Sequence, residues 1–77
     1  MEEFLIQKVE EISFTQVDLS SSLWQSGVLD SITIIEFAAE LEDEYGIKIP
    51  FDEVIEENFE TLERLMAYIE KKQREND

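Results

Sequence analysis

Residues 26–50 read SGVLDSITIIEFAAELEDEYGIKIP, and this stretch decides the fold. After Asp30 the apolar residues return every three or four positions, so that at about 100° per residue Ile34, Phe37, Ala38, Leu41 and Tyr45 share one side of a helix. Asp30 suits the N-cap of that helix, because its carboxylate can accept the backbone N–H of Ile32 or Thr33. The spacing predicts a helix over residues 31–45 that stops at Gly46, a residue free to take the left-handed conformation. Pro50 keeps the short GIKIP connection from simply continuing it.

The same reading extends in both directions. Leu5, Val9 and Ile12 stand at helical spacing opposite Lys8, Glu10 and Glu11, which predicts a first helix over residues 2–13. Residues 13–29 are polar and serine-rich, yet Val17, Leu19, Leu23, Trp24, Val28 and Leu29 punctuate them too regularly for a disordered linker. They read as a long loop pinned by buried side chains, with Gly27 supplying a positive φ before the second helix. Beyond Pro50, a short helix is expected over residues 52–58, capped by Asp52 and carrying Val54 and Ile55. A last helix starts near Thr61, with Leu62, Leu65, Met66 and Ile69 as its inner stripe and Lys71, Lys72 and Arg74 where positive charge suits the end of the helix dipole. Two glycines and one proline in 77 residues leave little material for the tight turns of an all-β protein. The expectation is all-α: a four-helix bundle, one domain over residues 1–77, near the size at which a single core only just suffices.

Composition narrows the function. With no cysteine, disulfides and thiolate metal sites are excluded and packing alone must hold the chain. The N-terminal MEEFLIQKVEE is neither a signal peptide nor a membrane span, so the protein reads as soluble and cytoplasmic, and a monomer is expected. Twenty acidic against six basic residues give a formal charge of -14, which repels phosphate backbones and anionic lipid and argues against nucleic acid or membrane partners. From Asp30 to Glu60 there are eleven acids and a single base, Lys48. An EF-hand is excluded, because placing Gly46 at the sixth loop position puts Leu41 and Tyr45 where oxygen ligands are required.

The side of the second helix opposite the core stripe collects Ile32, Ile35, Glu36, Ala39 and Asp43, with Glu40 at its edge. Such an apolar strip edged by carboxylates is either covered by the long loop or left bare for a partner. If it is bare, Glu36, Glu40 and Asp43 can steer a basic partner onto it.

Ser31 cannot be a Ser-His-Asp nucleophile, since the chain has no histidine. A Ser-Lys pair with Lys48 is barred by about 20 Å of intervening helix. Either Ser31 is an ordinary first-turn serine, or its hydroxyl serves as an attachment point where helix N–H groups and the macrodipole favour a phosphate.

The segment LWQSGVLDSITIIEFAAELEDEYGIKIP, followed by FETLERLMAYI, resembles the acyl and peptidyl carrier proteins from about Leu19 to Ile69. In that family a leucine and glycine precede Asp-Ser, an acidic amphipathic helix and Ile-Pro follow, and a Thr-aliphatic helix closes the chain. The resemblance implies a four-helix bundle of acyl-carrier-protein type, with a long loop between helices one and two and a short third helix. It also implies 4′-phosphopantetheine on Ser31, transferred from coenzyme A by a phosphopantetheinyl transferase. The thiol that the chain itself lacks would come from that group and carry acyl or aminoacyl cargo as a thioester. Partner recognition falls, by the same resemblance, on Asp30, Ile32, Ile35, Glu36, Ala39, Glu40 and Asp43. The partners it implies are a loading enzyme and downstream transferases with basic docking surfaces, the chain itself being no enzyme. Ile32 replaces the leucine common after the serine, while the two residues between Gly27 and Asp30 and the long FDEVIEENFET segment are more like D-alanyl carrier proteins of teichoic acid modification and some stand-alone aminoacyl carriers than fatty-acid carriers. A reading from a different class is an acidic helical adaptor without prosthetic group.

Overall fold

A computed structural model describes residues 1–75 of the chain. Its elements are α1 (Glu2–Ser13), α2 (Thr33–Tyr45), a 3-10 turn (Phe51–Glu53), α3 (Glu56–Phe59) and α4 (Leu62–Glu75), with no strand among the described residues. This is the expected all-helical bundle. No helix among the described residues is long and apolar enough to cross a membrane.

α1 packs against α2 and α4, and α3 packs on α4. Phe4 meets Tyr45 edge to face with ring centroids 5.7 Å apart, while Lys8 Nζ reaches Glu40 at 3.7 Å. Ascending positions on α1 thus meet descending positions on α2, so the two helices run antiparallel. The start of α2, with Ser31, therefore lies at the end of the bundle where α1 finishes. Leu5 and Val9 of α1, the whole expected stripe of α2 except the half-buried Tyr45, and Leu62, Leu65, Tyr68 and Ile69 of α4 fill one core.

The long loop is pinned as its apolar residues require. Leu23 is fully buried and Leu29 nearly so, while Val17, Leu19, Trp24 and Val28 pack at the core's edge. Its backbone is stitched to the corner between α3 and α4: Leu23 N–H donates to Glu60 O at 2.7 Å and Glu63 N–H to Leu19 O at 3.1 Å. Gly27 and Gly46 both take positive φ, 79° and 64°, as their places in a turn and past a helix end demand.

The segment after Pro50 differs from expectation. There is no single helix over residues 52–58, and Asp52 makes no capping hydrogen bond. The chain instead forms the 3-10 turn, leaves it at Val54 (φ -83°, ψ 76°), is extended at Ile55, and re-enters helix as the four-residue α3. Two adjacent β-branched residues favour extended backbone. Fully buried Phe59 supplies the anchor for α3, whereas Val54 is half-buried and Ile55 is exposed.

Candidate functional site

The site begins with the cap of α2. Asp30 Oδ1 accepts the backbone N–H of Thr33 at 2.8 Å and of Ile32 at 3.0 Å. Thr33 answers: its Oγ1 accepts the Asp30 N–H at 2.8 Å and donates to Asp30 Oδ1 at 3.0 Å. This reciprocal arrangement is a capping box with threonine in the position usually held by Glu or Gln. The backbone and side-chain hydrogen bonds from Thr33, then the one from Ile32, hold the Asp30 carboxyl below its ordinary value of 3.8. Ile34 N–H donates to Asp30 O, so the first helical turn opens at Asp30, although regular helix starts at Thr33 rather than Ser31.

Ser31, the residue after the cap, is exposed. It lines an apolar depression of about 330 Å³ with Trp24, Leu29, Asp30, Ile34, Ile35, Phe51 and Val54. The loop, α2 and the 3-10 turn each contribute a wall. One expectation needs correcting here. The N–H groups of Ile32 and Thr33 are not free for a phosphate, because the Asp30 carboxylate already takes both, and no basic residue lines the depression. Ser31 offers a nucleophilic oxygen beside an apolar trench, not a preformed anion site.

The strip on the outer face of α2 is bare. Ile32 is 77% exposed, Ile35 44%, and Glu36, Ala39, Glu40 and Asp43 are all at the surface. The loop does not cover it, because its apolar residues are spent on the α3–α4 corner and on the depression. Glu40 departs from the group: its contact with Lys8 ties it to α1.

Sequence reasoning missed the support of the 3-10 turn. Glu53 Oε1 accepts Tyr68 Oη at 2.5 Å and Lys72 Nζ at 3.1 Å, and Glu53 O accepts Asn58 Nδ2 at 2.9 Å. The hydrogen bonds from Tyr68 and then Lys72 lower the Glu53 carboxyl, while burial first and the Glu53 bond second push the Tyr68 phenol up. Tyr68 and Lys72 are four apart on α4, a visible pair, but nothing in the sequence names their partner across the fold. A second, larger depression lies along Glu53, Glu57, Arg64, Tyr68 and Lys71, wide open and sharing no residue with that of Ser31.

Comparison with known proteins identifies the family. The family described as the phosphopantetheine attachment site matches residues 4–69. The D-alanyl carrier protein of Abiotrophia defectiva is 33% identical over 75 residues, covering 94% of this chain and 95% of its own. That of Lactococcus lactis subsp. lactis (strain IL1403) is 32% identical over 79 residues, covering 99% and 100%. The meromycolate extension acyl carrier protein of Mycolicibacterium aurum is 32% identical over 72 residues, covering 94% of this chain and 72% of its own. The adaptor reading gives way to these matches. The match over residues 4–69 and the two D-alanyl carrier relatives aligned over nearly their whole length show that the chain belongs to the phosphopantetheine-dependent carrier proteins.

Proposed function

We propose that Ser31 bears the 4′-phosphopantetheine and that the chain, one domain over residues 1–77 of which 76 and 77 lie outside the described residues, shuttles cargo between cytoplasmic enzymes as a monomer. The observation that carries this is the exposed Ser31, next to the capping Asp30 and at the rim of an apolar depression. Ser31 Oγ attacks the diphosphate of coenzyme A: an Oγ–P bond forms, the P–O bond to the adenosine bisphosphate breaks, and the serine proton passes to a base on the transferase, since this chain has no histidine. The attached group supplies a thiol that holds cargo as a thioester. The chain's residues fit that group: Ile34, Ile35, Phe51 and Val54 give its length an apolar wall, and the covalent bond makes a phosphate-binding pocket unnecessary. Asp30, Ile32, Ile35, Glu36, Ala39 and Asp43 form the docking face for basic partner surfaces, with Glu40 at its α1 edge. The chain catalyses nothing itself.

For the cargo, matches to D-alanyl carriers that run end to end in both chains favour a small aminoacyl group. The apolar depression favours a longer acyl chain, the second reading. Incubation with coenzyme A and a broad-range phosphopantetheinyl transferase is expected to add one phosphopantetheine mass to the wild type and none to Ser31→Ala. An unmodified wild type refutes the assignment. Intact mass of the protein from its native cell separates aminoacyl from acyl cargo.

A further inference from the structure

Phe51 is 80% exposed, an unusual place for a phenylalanine, yet it is not on a loose segment. Pro50, immediately before it, is itself fixed at φ -61°, and the 3-10 turn closes with Glu53 N–H on Pro50 O at 2.9 Å and Val54 N–H on Phe51 O at 3.1 Å. Glu53 then clamps that turn to Tyr68 and Lys72 of α4. The fold thus spends a set of hydrogen bonds on presenting an aromatic ring to solvent. Phe51 shares its depression with Ser31 and Ile35, so the ring stands beside the hydroxyl that must be reached. Asp30, Glu36 and Asp52 are exposed near it in sequence or on the facing helix.

We infer that Phe51 is a specificity-determining anchor for the phosphopantetheinyl transferase, docking in an apolar socket with a basic rim. The inference rests on the assignment of Ser31 above. An enzyme that brings the phosphates of coenzyme A to Ser31 is cationic around that donor, and the surface it must approach is acidic with one rigid aromatic knob. Aromatic residues, phenylalanine among them, are enriched at interface cores, and one carried on an already ordered backbone loses less conformational entropy when it is buried. The recognition surface then extends from the outer face of α2 across the depression to the 3-10 turn.

Transfer from coenzyme A to the apo protein, followed at varied carrier concentration with one broad-range phosphopantetheinyl transferase, tests this. Phe51→Ser is expected to raise KM about tenfold, the scale of one lost interface anchor, with kcat nearly unchanged. Phe51→Leu should recover most of the loss. Phe14→Ser removes an equally exposed ring, 91% accessible, that lines no depression with Ser31, and should leave KM unchanged. Unaltered circular dichroism and melting temperature in all three would separate docking from folding. Because the apo protein has no prosthetic arm, the effect cannot come from packing of that arm on the ring. A modified wild type with the same KM for Phe51→Ser overturns the inference alone, including the case in which only later thioester hydrolysis changes. A wild type that accepts no phosphopantetheine overturns the assignment of Ser31 instead.

Discussion

Asp30 and Tyr45 stand near opposite ends of α2 and show two ways a polar group meets the helix. Asp30 is exposed and fully engaged, its one carboxylate oxygen closing the first turn on Ile32 and Thr33. Asp30→Ala should lower the melting temperature by a few degrees and Asp30→Asn should restore most of it, since asparagine caps by the same geometry; equal melting of all three would show the cap to be idle. Tyr45 is the reverse case: its Oη is buried with no hydrogen-bond partner among the described residues, and burial, with Glu44 nearby, pushes its phenol above the ordinary 10.0. An unmatched buried hydroxyl costs roughly 1–3 kcal/mol. Tyr45→Phe keeps the edge-to-face contact with Phe4 and should therefore stabilise the protein by about 1 kcal/mol in urea denaturation. A destabilised variant would reveal a bound water or another partner at that oxygen. Asp30 was legible in the sequence because a cap is a matter of three neighbouring residues. The orphaned Oη was not, because satisfaction depends on what the fold brings near.

At the scale of elements, the same division between local and distant causes explains what could be read. α1, α2 and α4 each carry an apolar stripe long enough to declare its period, and each begins or ends within two residues of its expected place. The segment between Pro50 and Thr61 is too short for a period to show. Its course is set by Val54 and Ile55 resisting helix, by Phe59 in the core, and by a carboxylate whose partners lie 15 and 19 residues on. Exposure of the outer face of α2 was an even choice from spacing and was decided by where the long loop is stitched. The Glu53 clamp has a signature in pH. Its carboxyl is held below the ordinary 4.5, so its contribution is fully present above that value and is lost as pH falls through the lowered folded value. Glu53→Gln should flatten the acid limb of stability in that window, as read by urea denaturation across pH. Tyr68 gives the complementary limb: with its phenol raised, its contribution holds below the ordinary 10.0 and fades as pH rises beyond it. If Glu53→Gln follows the wild-type acid limb, the clamp contributes nothing to stability.

For the whole molecule, charge sets a cost that no single contact repairs. The formal charge of the chain is -14, and its described residues fill a body only about 34 × 24 × 19 Å. The ion pairs among the described residues engage only Lys8 and Lys72, which together meet Glu11, Glu40, Glu53 and Glu75. Such surface pairs are individually weak, and the four paired carboxylates leave most of the twenty acids without an ion pair among the described residues. Neighbouring carboxylates on so small a surface lie within one or two screening lengths of each other at about 0.1 M salt, where that length is about 10 Å. Unfolding lets them spread apart, so repulsion favours the unfolded chain at low ionic strength. Under the proposed function the same acidity steers basic partner surfaces onto the carrier, each contact being one that must also release. The expected outcome is a melting temperature that rises by several degrees between low salt and about 0.15 M NaCl. Magnesium chloride at matched ionic strength should act as a general counterion, its effect growing smoothly, since no cluster among the described residues is built to hold a metal ion. Calorimetric scans over both salts check this directly. A flat or falling melting temperature would mean that the acids are already compensated, and saturation at low magnesium would mean that they converge on a specific ion.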